Sequence, residues 1–201
     1  MSLYRLKPRF QALLRPAARL LFRSGVTANQ VTVMTCVASV ALGALLCVRS
    51  DEQRLFLLVP LWLILRMAFN AIDGMLAREF GQATPLGAYL NELTDVVSDA
   101  ALYLPFALLP GSGWYAVAGV VMLSIVSELA GVLGAAQGAS RRYDGPMGKS
   151  DRAFVFGLIG LLAGAGLPLA GALPWIWTAV VLLIAVTVVN RVRGGLGERH
   201  G

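Results

Sequence analysis

Charge, histidine and cysteine are all scarce in this sequence. Charged residues make up 14% of the 201 and apolar residues 57%, with a mean hydropathy of +0.71. Such a chain lacks the polar surface with which a soluble domain covers its core, so an integral membrane protein is expected. The one histidine is penultimate, His200, and the two cysteines, Cys36 and Cys47, share one apolar segment. No His/Cys metal spacing or disulfide framework follows from them, and both cysteines read as small apolar side chains. Acids are also few, 11 against 17 basic residues, for a net charge of +6. In a membrane chain that excess is ordinarily cytoplasmic Lys and Arg, so no nucleic-acid partner is expected.

The 24 residues after the initiator Met contain no acid and six basic side chains. They are too basic and too interrupted to form a signal-peptide core, so no cleaved leader is expected. Leu13, Leu14, Leu20, Leu21 and Phe22 instead alternate with Arg15, Arg19 and Arg23 at helical intervals. That pattern predicts an amphipathic juxtamembrane helix over 1–24 on an anionic membrane surface, not one straight rod because of Pro8 and Pro16, with a disordered basic leader as the alternative.

What the chain has in abundance is apolar length. Six runs near 29–48, 55–77, 87–110, 114–137, 152–169 and 174–192 are each about long enough to cross roughly 30 Å of hydrocarbon. The fold expected is therefore all-α and integral to the membrane, with six transmembrane helices over 25–201 preceded by the interfacial helix. The 22 glycines suit close helix packing in lipid. Fourteen Lys and Arg fall on the leader, the 78–86 and 138–152 connections and the tail, and two, Arg49 and Arg54, on the opposite side, with Arg66 left inside a span. Both termini should face the cytoplasm of a bacterial-type inner membrane. Trp114, Trp175 and Trp177 are expected at the outer interface.

Polar residues inside two neighbouring runs carry the functional signal. Asn70, Asp73, Ala77 and Arg78 share one helical face, and Gly87, Asn91 and Asp95 repeat at strict four-residue steps. At 1.5 Å per residue, Asn70 and Asp95 both lie roughly 12 Å from the cytoplasmic surface. Antiparallel neighbours joined by a short connection should bring these faces together. Carboxylate and amide oxygens at one level suit a hard divalent cation and a phosphate-bearing substrate. A polar seam between helices would use the same residues. Arg66, deeper in the same helix, is expected to pair with Asp99 or Glu128, because an unpaired charge there is costly.

The spacing from 70 to 95 resembles the CDP-alcohol phosphatidyltransferase pattern DxxDGxxARx8GxxxDxxxD. Six of its eight fixed positions are kept, namely Asp73, Gly74, Ala77, Arg78, Gly87 and Asp95, while Asn70 and Asn91 replace the first and third aspartates. VTANQVT at 26–32 resembles the family's Pro-Asn-x-x-Thr element, with Asn29 and Thr32 kept, and GPMGKSDR at 145–152 its Gly-Lys element. The resemblance implies transfer of a phosphatidyl group from CDP-diacylglycerol to an alcohol acceptor, best taken as glycerol 3-phosphate or another phosphorylated polyol, with release of CMP. It implies Mg²⁺ or Mn²⁺ at Asn70, Asp73, Asn91 and Asp95, with Asp95 also as base. The CDP moiety would lie against Asn29, Thr32, Gly74, Ala77, Arg78 and Gly87. Lys149 and Arg152 would hold the acceptor or its phosphate, and the protein would be a homodimer among membrane lipids. With two acids replaced by amides, the site is expected to hold fewer cations than a four-acid one, and an inactive scaffold remains a rival. A small-solute transporter is the other alternative; its groups would lie nearer the midplane.

Overall fold

A computed structural model describes residues 6–198, with side chains from Phe10 onward. Arg5, Arg199 and His200, counted above, lie outside the described residues. Seven α-helices follow one another, and among the described residues there is no strand: α1 (Leu6–Arg23), α2 (Ala28–Val48), α3 (Leu58–Glu79), α4 (Pro85–Tyr103), α5 (Trp114–Ala136), α6 (Lys149–Gly164) and α7 (Leu173–Glu198). Short 3-10 turns, Gln53–Leu57 and Leu104–Leu108, precede α3 and follow α4.

Four of these stretches are long and apolar enough to cross a membrane: Ala28–Val48, Gln53–Glu79, Trp114–Ala136 and Leu173–Glu198. The other two expected spans fall short for visible reasons. Helix α4 carries Glu92, Asp95 and Asp99 within 19 residues, and α6 is only 16 residues long with Asp151 and Arg152 in its first turn.

The chain forms two compact units. The first comprises Met1–Ala41 and Leu61–Ser98. Its apolar core joins Ala18 of α1, Ala28 and Val31 of α2, and Ile72, Met75 and Leu76 of α3. Helix α1 continues through Pro16. Burial of its Ala18 face offsets the hydrogen bond that the proline forfeits. Arg15 also donates two bonds of 3.0 Å to Glu79 at the end of α3, an exposed fork of modest worth.

The second unit comprises Leu42–Pro60 and Asp99–Gly201. Aromatic rings fill its core. Tyr103 stacks on Phe156 at 3.8 Å between centroids, and Phe106 meets both Phe56 and Phe156 edge-on at 5.0 Å. Trp177 belongs to this cluster, fully buried, with its indole N–H donating to Ser112 Oγ at 2.7 Å. The expectation that it anchors an interface is corrected by that burial: Ser112 meets the polar need that would otherwise have held the ring at the membrane edge. Trp114 and Trp175 remain exposed.

Glycines set the closest approaches. A Cβ on Gly43 would collide with the main-chain carbonyl of Ala101, and one on Gly164 would lie 2.6 Å from Leu57 Cγ. Neither neighbour leaves room for a methyl group. Gly119, also within a helix, faces open space, and a Cβ there would have nothing within 4 Å. Gly43→Ala should therefore lower the thermal unfolding midpoint in detergent, at a cost of about 1–3 kcal/mol from overpacking, whereas Gly119→Ala should leave it unchanged or raise it.

Candidate active site

The starts of α2 and α4 are fixed by threonines. Thr27 Oγ1 accepts the Gln30 N–H at 3.2 Å and Gln30 Oε1 accepts the Thr27 N–H at 2.9 Å, a reciprocal cap. Thr84 Oγ1 accepts the Gly87 N–H at 2.9 Å, with Pro85 at the first helical position where its missing N–H costs nothing. The Thr84 hydroxyl also lies 3.4 Å from Asn29 Nδ2. A Cβ on Gly87 would stand 2.7 Å from Asn29 Oδ1, so a side chain at 87 would displace that amide.

Thr32 follows Asn29 on the same face of α2 and reaches α3. Its hydroxyl lies 2.7 Å from Asp73 Oδ2 and 3.0 Å from the carbonyl of Ala28. The contact with the Asp73 carboxyl is the shorter of the two. Asp73 is buried. Arg78 is exposed and folds back along α3 over Gly74, where a Cβ would come within 2.5 Å of Nη2. Ala77 is half-buried beside the core of this unit.

Helices α3 and α4 meet at Asp95. Asn70 Nδ2 donates to Asp95 Oδ1 at 3.3 Å, so the two polar faces do come together as their depths imply. Arg66, one turn before Asn70, donates from Nη2 to the same Oδ1 at 3.1 Å and to the Asp95 carbonyl at 3.1 Å. Its guanidinium is almost fully buried. Depth along the helix points Arg66 to Asp99 or Glu128; the structure shows it paired with Asp95, one turn before Asp99. The four-residue step from Arg66 to Asn70 was the available signal. Asn91 is half-buried on α4, one turn before Asp95.

The donor set can be tested against a divalent cation. Two carboxylates and two amides supply only oxygen ligands, the kind that Mg²⁺ and Mn²⁺ take. Among the described residues no three His, Cys, Asp or Glu side chains cluster as a metal site. The chemistry of these four side chains suits a hard cation, with two negative charges where the family's full pattern has four.

The second unit holds another charged centre. Arg152 is fully buried, 2.8 Å from Glu128 Oε1 and 3.5 Å from Asp99 Oδ2. Arg191 Nη1 approaches Glu128 Oε1 at 3.4 Å and donates to the Ser127 carbonyl at 2.6 Å. Arg141 lies 3.7 Å from Glu128 Oε2. Gly131 makes room here, since a Cβ on it would stand 3.3 Å from Arg191 Nη1. In the sequence Arg191 is only one of the tail's positive charges; its partners are too distant along the chain for spacing to reveal. Lys149, half-buried, opens α6 in the same unit. Outside the helices, the Arg142 guanidinium beside Asp144 holds that carboxyl below its ordinary range.

The sequence profile of the CDP-alcohol phosphatidyltransferases matches residues 25–190. The chain belongs to that family. Its members are membrane enzymes of phospholipid synthesis that depend on a divalent cation, and this chain is a phosphatidyltransferase of that kind. It is 46% identical to inner membrane protein YnbA of Escherichia coli over 98% of this chain and 97% of that protein. It is 28% identical to phosphatidylinositol phosphate synthase of Corynebacterium glutamicum over 80% of this chain and 74% of that enzyme. Among solved structures, it shares the fold of phosphatidylinositol phosphate synthase of Mycobacterium tuberculosis, crystallised with manganese and citrate. The TM-score is 0.74 at 24% identity, covering 91% of this chain and 88% of that one.

The buried arginine gives a prediction that does not depend on the reaction. Arg152→Met should remove from Glu128 its nearest guanidinium, and from Asp99 a buried one, and cost about 3–5 kcal/mol. Arg15→Met, which breaks an exposed pair, should cost at most about 1 kcal/mol. Thermal unfolding of the two purified variants checks the ranking.

Proposed function

We propose that this enzyme transfers the phosphatidyl group of CDP-diacylglycerol to the hydroxyl of a phosphorylated polyol and releases CMP. The observation that carries the reading is the meeting of Asn70 and Asp95 at 3.3 Å, which joins the two halves of the 70–95 pattern. The alcohol oxygen attacks the phosphorus that bears the lipid, a new P–O bond forms, and the bond to the CMP oxygen breaks with its electron pair leaving on CMP. Asp95 accepts the proton of the attacking hydroxyl. Arg78 lies along the diphosphate, and Asn29, Thr32, Gly74, Ala77 and Gly87 line the cytidine pocket, small side chains keeping it open. Asn70, Asp73, Asn91 and Asp95 would hold Mg²⁺ or Mn²⁺, which when bound offsets charge on the phosphate oxygens.

The acceptor is assigned to Lys149 and Arg152, with Arg141 and Arg191 beside them. Arg141, Arg152 and Arg191 gather on Glu128, with Asp99 also against Arg152. A phosphorylated acceptor suits guanidinium groups of this kind. Glycerol 3-phosphate and inositol phosphate are both phosphorylated polyols, and the relative from Corynebacterium is named a phosphatidylinositol phosphate synthase. In the membrane, α2 to α7 are taken as six crossings over 25–201, with α4 and α6 turning their polar faces to the protein interior. Residues 1–24 are taken as an interfacial helix. The positive-inside bias puts both termini and the site on the cytoplasmic side of a bacterial inner membrane, and the working unit is taken as a homodimer.

Asn70 and Asn91, where the family pattern has acids, favour one second reading: a catalytically impaired member that acts as a scaffold. CMP release by the purified protein from CDP-diacylglycerol, with Mn²⁺ and separately with inositol phosphate, glycerol 3-phosphate or no acceptor, decides between them. Release should require a phosphorylated polyol, and Asp95→Asn should lower it by about 10²–10⁴-fold. No release with any acceptor selects the scaffold, and a wild-type rate in Asp95→Asn removes the base assignment.

A further inference from the structure

Asp95 Oδ1 accepts from two groups on α3, the buried Arg66 guanidinium at 3.1 Å and the Asn70 amide at 3.3 Å. A carboxylate can only accept, so the nitrogen of the Asn70 amide must be the atom facing it. That orientation turns the Asn70 oxygen away from Asp95. The family's full pattern has an aspartate at position 70; here it would place two like charges about 3 Å apart, tolerable only with a cation between them. With asparagine there, and a guanidinium on the same oxygen, α3 and α4 are joined at Asp95 without a metal ion. A divalent cation approaching Asp95 Oδ1 meets the positive charge of Arg66 first.

We propose that Arg66 is the built-in counter-charge of Asp95, and that it limits this site to a single divalent cation. That cation would be held chiefly by Asp73, whose buried carboxylate is steadied by the Thr32 hydroxyl at 2.7 Å, with Asn70 and Asn91 as neutral ligands and Asp95 as a ligand already half offset by Arg66. Asn70, Asn91 and Arg66 then form one coherent set. Two negative charges are gone and one positive charge is supplied by the chain, so a single divalent cation already exceeds the negative charge that Asp73, Asp95 and Arg66 leave, and a second would meet net repulsion. Arg66 is a positioning residue in this account: it acts on Asp95 and reaches no substrate atom. The inference rests on the cation-dependent reading given under Proposed function.

Mn²⁺ binding to the full-length protein in detergent, followed by the loss of the free-Mn²⁺ electron paramagnetic resonance signal, tests it independently of turnover. The wild type should bind about one Mn²⁺ per chain. Arg66→Gln should tighten binding about tenfold, because a repelling charge is removed, and Arg66→Lys, which keeps the charge, should match the wild type. The triple variant Arg66→Gln, Asn70→Asp, Asn91→Asp should bind about two. Asn91→Asp alone, which retains Arg66 and needs no change at the buried pair, should bind more tightly but still about one. Two Mn²⁺ in the wild type or in Asn91→Asp overturns the inference, as does an Arg66→Gln protein with unchanged stoichiometry and affinity. Absence of any bound Mn²⁺, together with absence of CMP release, overturns the cation-dependent reading itself.

Discussion

A carboxylate held at the depth of a bilayer survives in its charged form only beside a partner that offsets it. Most of the organisation of this protein follows from that constraint. Asp95 is held by Arg66 and Asn70, and Glu128 gathers Arg141, Arg152 and Arg191, with Asp99 also against Arg152. Each guanidinium is itself costly to bury, so neither partner can be replaced alone. The consequence is local rigidity. Arg66 fixes α3 against α4 within one unit, and the arginines on Glu128 tie α5, α6 and α7 within the other.

Charged side chains of this size need space, and glycine supplies it. Gly131 on α5 lies beneath Arg191 and the carbonyl of Arg142, and Gly194 on α7 would, with a Cβ, stand 2.7 Å from Arg142 Nη2. Gly87 plays the same part for Asn29, and Gly74 for Arg78. Small residues are usually explained in membrane helices by close contact between backbones, and Gly43 against Ala101 is such a case. Here several glycines instead seat a polar side chain. That distinction matters for a phosphatidyltransferase, whose binding groups must stand beside helices without being pushed out of position.

Much of the first unit's polar face is legible in the sequence because its information is local. Four-residue steps put Asn70 beside Arg66 and Asn91 beside Asp95, and a common depth of roughly 12 Å brings Asn70 to Asp95. Caps at Thr27 and Thr84 are equally local signals. What spacing could not give were pairings set by packing between helices remote in sequence. Arg191 reaches Ser127 across 64 residues, and Trp177 finds Ser112 across 65. Without that hydroxyl a tryptophan near a span end reads as an interface anchor; with it, the ring is core. The burial of Ala18 of α1 in the core with α2 and α3 is likewise invisible from α1 alone.

Taken alone, the asparagines at 70 and 91 are losses from a four-acid pattern, and the geometry around Asp95 changes what they mean. A site that had merely lost two acids would keep a deficit of ligands and gain nothing. In this chain the position-70 amide uses its nitrogen, an atom no aspartate has, to bond the very oxygen that Arg66 also holds. An aspartate at 70 would contest that oxygen by repulsion. The amide adds a bond to Asp95 where an aspartate would add a second negative charge beside it. Substitution of acid by amide and placement of a buried cation on α3 are two parts of one electrostatic arrangement, in which the protein chain carries charge that a four-acid site must draw from bound metal.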